Sequence, residues 1–167
     1  MTTRIFAAAA ALLLPGAAFA QAFSGDAAAG EQQFGRQCVA CHVVQDPAGE
    51  VLAGRNAQTG PSLYQVVGRT PGTLPDFSYS DGMIAYGETG VVWEEANLLP
   101  YLLDPTAHLR EALGDDSVRS KMAFKVRDEQ QALDIIAYLA SFGVTESEEG
   151  EGEEGEGEEG EAPASGG

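Results

Sequence analysis

The sequence predicts an all-α fold made of a few helices and long loops. Three segments carry apolar residues at helical spacing, and only one short run, VVW at residues 91–93, has the composition of a strand. The remaining segments are rich in glycine, proline and aspartate, which favour turns and loops. Because so few helices in a domain of about 125 residues give a thin hydrophobic core, we expect an apolar group to complete it.

The first helix is predicted in the run DAAAGEQQFGRQC, where either Ser24 or Asp26 can serve as the N-cap. Gly30 and Phe34 are four residues apart and therefore lie on one face of this helix. Both cysteines of the chain follow directly on the end of the helix.

Two shorter elements are predicted in the middle of the chain. The run GPSLYQVVG should form a short turn, with Pro61 where a first helical turn accepts proline and Gly68 where it stops. The run WEEANLLPYLLDP should form a helix that ends at Asp104, because Pro105 follows. Pro100 inside this helix removes one backbone hydrogen bond at a cost of about 3 kcal/mol. The helix is therefore either kinked at Pro100 or begins later in the segment.

The last helix is predicted in the run RDEQQALDIIAYLASF, with Asp128 and Gln131 as a plausible N-cap pair. Apolar side chains recur on two of its faces. A helix of this kind must be buried on more than one side.

The two ends of the chain differ from the middle in composition. Residues 1–20 have one charge, at Arg4, then an apolar run and a small-residue site, which is the pattern of a secretory signal peptide. The apolar run is about half the ~20 residues of a membrane-spanning helix. Residues 145–167 contain ten glutamates and no basic residue, which predicts a disordered acidic tail. Residues 21–144 are therefore expected to form one exported domain that is not embedded in a membrane.

The charge of the chain bears on its partners. The formal net charge of the whole sequence is −17, and residues 21–144 alone carry 16 acidic and 8 basic residues, a net charge of −8. An acidic domain of this kind is an unlikely match for nucleic acid, so no nucleic acid partner is expected.

Cys38, Cys41 and His42 stand together in the run QCVACHVVQ, and three chemistries use such a pattern. A disulfide would leave His42 without a role, and the strands of a thioredoxin-like fold are missing. Zinc would need a second ligand pair, whereas His108 is the remaining histidine and is expected to be a solvated loop residue. Covalent haem uses all three residues, since both thiols add to vinyl groups and the imidazole ligates the iron. Export agrees with haem, because bacteria attach it outside the cytoplasm.

Four segments in this order, CVACH, TGPSLYQVVGR, WEEANLLPYLLDP and KMAFKV, resemble those of class I cytochromes c of the small bacterial branch that is similar to mitochondrial cytochrome c. The resemblance extends from about Gly25 to Phe142. It implies a class I cytochrome c fold, in which helices and long loops wrap around one covalently bound haem c. It also implies a monomeric electron carrier and not an enzyme.

The resemblance assigns the iron ligands and the attachment points. Cys38 and Cys41 would be the thioether anchors, His42 the proximal ligand and Met122 the sixth ligand. Met83 competes for the sixth position but is expected to pack in a loop. A closed His/Met pair favours ferrous iron, raises the reduction potential and leaves no position open for a substrate.

The resemblance also assigns groups around the haem. The carbonyl of Pro61 would accept the ring N–H of His42, and Tyr101 would hydrogen-bond the methionine sulfur. Three residues match groups that hold the haem propionates: Arg69, Tyr79 and Trp93. Alternatively, Tyr101 and Trp93 are core aromatics and Arg69 is a surface charge. Three further residues match the contact where the first and last helices cross: Gly30, Phe34 and Tyr138.

Two features depart from the mitochondrial pattern. The segments at residues 45–60 and 104–122 are longer and are expected to be loop insertions. The chain also has two lysines where the family usually has a ring of them, yet five basic residues flank the cysteines or the methionine: Arg36, Arg119, Lys121, Lys125 and Arg127. These residues either form a positive rim that orients the haem edge toward an acidic partner or are scattered solvated charges.

These observations predict a soluble periplasmic monohaem electron carrier. Its expected partners are membrane redox complexes, with a quinol-oxidising cytochrome bc complex as donor and a terminal oxidase or photosynthetic reaction centre as acceptor. One alternative is a dedicated acceptor for a periplasmic dehydrogenase. Another is a haem enzyme or gas sensor, which requires an open sixth position.

Overall fold

The computed structural model describes residues 23–143, so the predicted signal peptide and acidic tail lie outside the described residues. This part of the chain is rich in helix and contains one small hairpin, which confirms the predicted class. The elements in order are α1 (Ala27–Gln37), β1 (Val43–Gln45), β2 (Val51–Gly54), α2 (Asp81–Glu88), α3 (Glu95–Leu103), α4 (Pro105–Leu113) and α5 (Glu129–Ala140).

Helices α1 and α5 cross at a glycine. A Cβ atom on Gly30 would lie 1.9 Å from the carbonyl oxygen of Asp134, so only glycine allows the two backbones to approach this closely. The ring of Phe34 packs on that of Tyr138 with their centroids 5.6 Å apart. The carboxylate of Asp134 accepts the N–H of Asp26 at 2.9 Å and ties the start of α1 to α5. The predicted contact of Gly30, Phe34 and Tyr138 is confirmed.

The N-caps of α1 and α5 are both aspartates. Asp26 caps α1 by accepting two backbone N–H groups of its first turn. Ser24, the other predicted candidate, instead donates its backbone N–H and its hydroxyl to Glu95, at 2.8 and 2.6 Å. Asp128 caps α5 by accepting the N–H of Gln131 at 2.9 Å, as predicted.

Helices α3 and α4 follow each other without a loop. Helix α3 begins later than the predicted segment and continues through Pro100. Asp104 then caps α4, Pro105 occupies its first turn, and Gly114 closes it with a positive φ of 63°. The expectation that residues 104–122 are a loop insertion is therefore wrong. Pro105 ends one helix and starts the next, because proline is compatible with a first turn.

The strand prediction is also wrong. Residues 91–93 have no regular structure, and the strands are β1 and β2, which pair antiparallel with an irregularity between Val44 and Gln45. Most of β2 is exposed, whereas Val43 and Val44 are both buried, so neither strand alternates. The segment at residues 45–60, expected to be a loop insertion, therefore contains β2.

Helix α2 was not predicted, and it contains Met83. Two glycines lower its intrinsic helix propensity, but Ser80 caps it by accepting the N–H of Met83. Met83 is 7% exposed and belongs to the core, so its expected place in a loop is wrong.

The largest fully buried core side chains come from helices, β1 and loops: Phe34, Val44, Val67, Leu109, Val126, Ile135 and Ile136. Helix α5 supplies two of these and packs on both α1 and α3, in agreement with its apolar faces. Among residues 23–143, no helix is long and apolar enough to cross a membrane.

Candidate haem site

The cysteine motif continues the last turn of α1. Cys38 donates its N–H to the carbonyl of Phe34 at 2.9 Å, and its own carbonyl accepts the N–H groups of Cys41 and His42. Both thiols are free, with Cys38 half-buried and Cys41 exposed. Burial, together with the neighbouring Cys41, raises the pKa of the Cys38 thiol to about 12, so this thiol is neutral at pH 7.

The imidazole of His42 is held in one orientation. Its Nδ1 lies 2.9 Å from the carbonyl oxygen of Pro61, the contact that the resemblance implied. Because a carbonyl only accepts, Nδ1 carries the proton and Nε2 keeps its lone pair for a metal. Burial lowers the pKa of His42 and favours the neutral ring, although the bond to Pro61 opposes this shift. A Cβ atom on Gly60 would lie 2.3 Å from the ring, so the ring fills the space above this glycine.

The guanidinium of Arg69 is half-buried next to backbone carbonyls. It donates to Tyr64 and Ser62, each at 3.0 Å. Burial lowers its pKa, whereas the nearby Tyr79 raises it. No carboxylate of residues 23–143 forms an ion pair with Arg69. The carbonyl of Arg69 accepts the N–H of Trp93 at 3.0 Å, which places two of the three predicted propionate residues side by side.

Tyr101 and Met122 meet through Ser120, which the sequence reading missed. The hydroxyls of Tyr101 and Ser120 are 3.3 Å apart, and Ser120 Oγ accepts the N–H of Met122 at 3.1 Å. The N–H of Ser120 donates to Thr106 in α4 at 3.2 Å. Burial raises the pKa of Tyr101, so its hydroxyl is neutral. A hydroxyl residue two positions before the methionine was the signal available in the sequence.

His108 does not lie in a solvated loop, so this expectation is wrong. It is a half-buried residue of α4, and its Nε2 lies 3.1 Å from the hydroxyl of Tyr86 in α2. Its ring also packs edge-on against Tyr101, with the centroids 6.1 Å apart. Burial lowers the pKa of His108. His108 therefore joins α2, α3 and α4.

The predicted site residues form one chain of contacts from the histidine to the methionine. His42 bonds to Pro61, the carbonyl of Ser62 accepts Arg69, and Arg69 pairs with Trp93. The rings of Trp93 and Tyr101 are 4.9 Å apart, and Ser120 links Tyr101 to Met122. Tyr79 joins this chain through its electrostatic interaction with Arg69.

This donor set fits haem c and does not fit zinc. Two free thiols precede an imidazole that has an available nitrogen, and a thioether stands at the other end of the contact chain. A half-buried arginine lacks a carboxylate partner within residues 23–143. No group of three or more His, Cys, Asp or Glu side chains in the described part of the chain is arranged to hold a metal ion.

Comparison with known proteins gives the same result. The chain is 57% identical over 123 residues to cytochrome c2 of Rhodovulum adriaticum, which covers 74% of this chain and 97% of that protein. It is 47% identical over 121 residues to cytochrome c2 of Cereibacter sphaeroides, covering 72% and 97%. The X-ray structure of cytochrome c2 from Rhodobacter sphaeroides matches with a TM-score of 0.70 at 45% identity, over 74% of this chain and all of that one. No protein-family model matches the chain.

The helical fold and the cysteine motif with its following histidine are those of a class I cytochrome c. The similarity over nearly the whole length of these relatives shows that the chain belongs to the cytochrome c2 family of bacterial cytochromes. It carries one covalently attached haem c and is an electron carrier, not an enzyme.

Proposed function

We propose that this protein is a periplasmic carrier of single electrons, with His42 and Met122 as iron ligands and Cys38 and Cys41 as thioether anchors. The hydrogen bond from His42 Nδ1 to Pro61, which leaves Nε2 available as a ligand, is the observation that carries the proposal. The signal peptide predicted in residues 1–20 supports the location.

The chain's own residues hold and insulate the redox group. When bound, the haem iron supplies the one-electron couple, and its potential rises with a methionine ligand. Ser120 accepts the backbone N–H of Met122 and so restrains the loop that carries this ligand. The hydroxyl of Tyr101 lies 3.3 Å from Ser120 Oγ, and it is proposed to hydrogen-bond the sulfur of Met122. With His42 and Met122 as ligands, the iron would have no position open for a substrate, which suits electron transfer and not substrate binding.

Arg69, Tyr79 and Trp93 are proposed to hold the haem propionates. Arg69 supports this role because it is a half-buried cation without a carboxylate partner in the described residues. A buried charge of this kind is stabilised by an anion. Trp93 lies against Arg69 through their backbones, and Tyr79 interacts with its charge.

The absorption spectrum tests this ligand assignment. The ferric protein should show the weak far-red band of sulfur-ligated iron, and the Met122→Ala variant should lose it. The Met83→Ala variant is the control: it should keep the band, although removing a buried methionine costs about 2–5 kcal/mol of stability. Loss of the band in Met83→Ala alone would overturn the assignment. Carbon monoxide binding to the reduced wild-type protein would instead indicate an enzyme or sensor with an open position.

Redox partners are proposed to dock on an open groove of about 800 Å³ beside the cysteine motif and the segment that follows Met122. The groove, called here the docking groove, is lined by Gln37, Leu103, residues 123–128 and Gln131. Gln37 directly precedes Cys38, and residues 123–128 directly follow Met122. Phe124 in its wall is 46% exposed. Lys125, Arg127 and the adjacent Arg36 make the groove attractive to an acidic partner.

The proposed partners are a quinol-oxidising cytochrome bc complex as donor and a terminal oxidase or reaction centre as acceptor. A dedicated periplasmic dehydrogenase is the alternative donor. Stopped-flow reduction of the ferric protein by each purified donor separates the two. Faster reduction by the bc complex, with a rate that depends on salt, supports the proposal; faster reduction by a dehydrogenase contradicts it.

A further inference from the structure

Two cations line the docking groove: Lys125 has a carboxylate partner, and Arg127 has none among the described residues. Within residues 23–143, Lys125 forms the one ion pair, with Asp104 at 2.5 Å, and the two side chains are 53% and 39% exposed. Lys121 donates to the carbonyl of Ser78 at 2.7 Å and so points its charge at a neutral group. Arg127 is exposed and forms no ion pair. Arg127 therefore presents a positive charge at the groove that no ion pair within residues 23–143 neutralises.

The rest of this surface offers little to an anion. Residues 23–143 contain 16 acidic and 8 basic residues, and five of the basic ones flank the cysteine motif or the methionine. Of the other three, Arg69 and Arg110 are half-buried and donate to backbone carbonyls. Arg55 is exposed and directly follows the last residue of β2. An acidic segment is thus repelled by most of the molecule and attracted to the docking groove.

The carboxylate that lines the groove already accepts a hydrogen bond as a helix cap. Asp128 lines the groove, but its side chain accepts the N–H of Gln131 as the cap of α5. The side chains of Gln37 and Gln131 are hydrogen-bonded to each other across the groove at 2.9 Å and carry no charge. The groove is therefore lined by two cations, the capping carboxylate of Asp128, two amides and the apolar ring of Phe124.

We propose that the acidic segment at residues 145–161 of this chain binds the docking groove and competes there with the redox partner. This inference rests on the proposed function of the groove as the partner surface. The segment contains ten glutamates and no basic residue, so its charge complements the groove. Binding of the segment weakens the association of acidic partners at low salt. It favours those partners that bind the groove strongly enough to displace the ten glutamates of the segment.

The segment is long enough to reach the groove. Helix α5 begins beside the groove, at Asp128 and Gln131, and its 12 residues carry the chain about 18 Å away to Ala140. The residues from 144 to 161 span up to about 60 Å when extended. A tether of this length gives the segment a local concentration near the groove on the order of millimolar.

Binding of this kind depends on salt. Pairs between exposed charges are individually weak and are screened over about 10 Å at 0.1 M salt. The segment therefore occupies the groove at low ionic strength and leaves it as salt rises. A single groove cation contributes a modest part of the attraction, so its removal should be measurable but not complete.

A spin label on the segment tests the proposal in the intact haem protein. The Glu158→Cys variant carries a nitroxide, and NMR of the diamagnetic ferrous form reports which backbone amides it approaches. At about 0.01 M salt, we expect relaxation enhancement at residues 36–37 and 123–127 and none at residues 51–54 of β2, and loss of the effect at about 0.5 M salt. Arg127→Ser should reduce the enhancement about twofold, whereas the matched control Arg55→Ser should leave it unchanged.

Two outcomes separate this inference from the proposed function. Uniform enhancement over the surface, or equal effects of Arg127→Ser and Arg55→Ser, means that the segment adds net charge without binding the groove, and overturns the inference. Reduction kinetics with the bc complex test the groove itself: if Arg127→Ser slows reduction and the label shows no groove contact, the partner surface stands and the inference falls. If the label marks the groove but Arg127→Ser leaves the reduction rate unchanged, the proposed partner surface fails, and with it the competition, while binding of the segment to the groove stands.

Discussion

Gly60 shows how strongly one small residue constrains the histidine. Its Cα faces the ring of His42, and an added Cβ would lie 2.3 Å from Cε1 and 2.6 Å from Nδ1. The N–H of Gly60 also donates to the carbonyl of Cys41 at 2.7 Å, so the glycine cannot simply move away. The ring, the loop and the cysteine motif are therefore packed as one unit.

The Gly60→Ala variant should lower stability by about 1–3 kcal/mol, because the new methyl group overpacks the histidine pocket. It should also lengthen the bond from His42 to Pro61 and change the reduction potential. Chemical denaturation and a redox titration measure both effects. Gly35→Ala is the matched control, since a Cβ there meets nothing within 4 Å, and it should stabilise α1 by about 0.5–1 kcal/mol. Equal denaturation midpoints for Gly60→Ala and wild type would contradict the prediction.

Ser120 is the second residue whose role depends on one atom. Its Oγ accepts the N–H of Met122 and lies 3.3 Å from the hydroxyl of Tyr101. Removing it leaves both groups without this partner, and each lost hydrogen bond costs about 0.5–1.5 kcal/mol.

The Ser120→Ala variant should therefore release Met122 more easily. Added imidazole should displace the methionine at a concentration about 3- to 10-fold lower than in wild type, followed by loss of the far-red band. Ser120→Thr keeps the hydroxyl and should behave like wild type. An unchanged imidazole titration in Ser120→Ala would show that the serine does not position the ligand.

Helices α2, α3 and α4 form a unit around aromatic rings. Tyr86 of α2 packs on Trp93 with the ring centroids 5.5 Å apart, and His108 of α4 contacts both Tyr86 and Tyr101. Helix α4 also binds the methionine loop, because Thr106 accepts Ser120 and Arg110 donates to the carbonyl of Val118 at 2.9 Å. Helix α4 thus supports the loop that carries Met122.

His108 makes this unit sensitive to acid. Burial lowers its pKa in the folded protein, although the charge of Glu111 opposes the shift. The unfolded chain, with the ordinary pKa of about 6.5, therefore takes up the proton first as pH falls. The stability contribution of neutral His108 is present above pH 6.5 and is lost between that pH and its lower folded pKa.

Urea unfolding at pH 7.5 and pH 5 checks this prediction. The wild type should lose more unfolding free energy between these pH values than the His108→Gln variant, which cannot be protonated. His42 contributes equally to both proteins, since it is proposed to be bound to iron. The same pH dependence in both would exclude His108 as the acid-sensitive group.

At the scale of the whole molecule, we expect the haem to complete the core. The described domain contains two short strands and five helices of 8 to 12 residues. Several partly buried side chains pack at the edge of its apolar cluster, among them Cys38, Val39, Leu99 and Met122. A core of this size leaves little surplus over the entropy of ordering the chain.

Preventing haem attachment should therefore remove cooperative folding. The Cys38→Ser/Cys41→Ser double variant should lose its near-ultraviolet circular dichroism and its sharp thermal transition. Cys41→Ser keeps one thioether and should retain a cooperative transition at a lower temperature. A double variant that unfolds as sharply as the wild type would show that the polypeptide core suffices.

The sequence predicted α1 and α5 well because both carry a strong local signal. An aspartate cap and apolar residues at helical spacing are visible without any tertiary contact. Helices α2 and α4 escaped prediction for different reasons. Two glycines weaken α2, and the proline that marks the end of α3 also opens α4. The strands β1 and β2 are too short for alternation to appear.

The covalent chemistry of the site follows from local sequence. Cys38, Cys41 and His42 lie within one turn, so their spacing alone indicates a haem attached next to its ligand. The roles of Ser120 and His108 depend instead on residues 14 to 22 positions away, namely Thr106, Tyr101 and Tyr86. No periodicity encodes such contacts, because they arise only when separate helices pack together. The local motif thus establishes which cofactor the protein holds, and the packed fold establishes how the ligands and their neighbours are positioned.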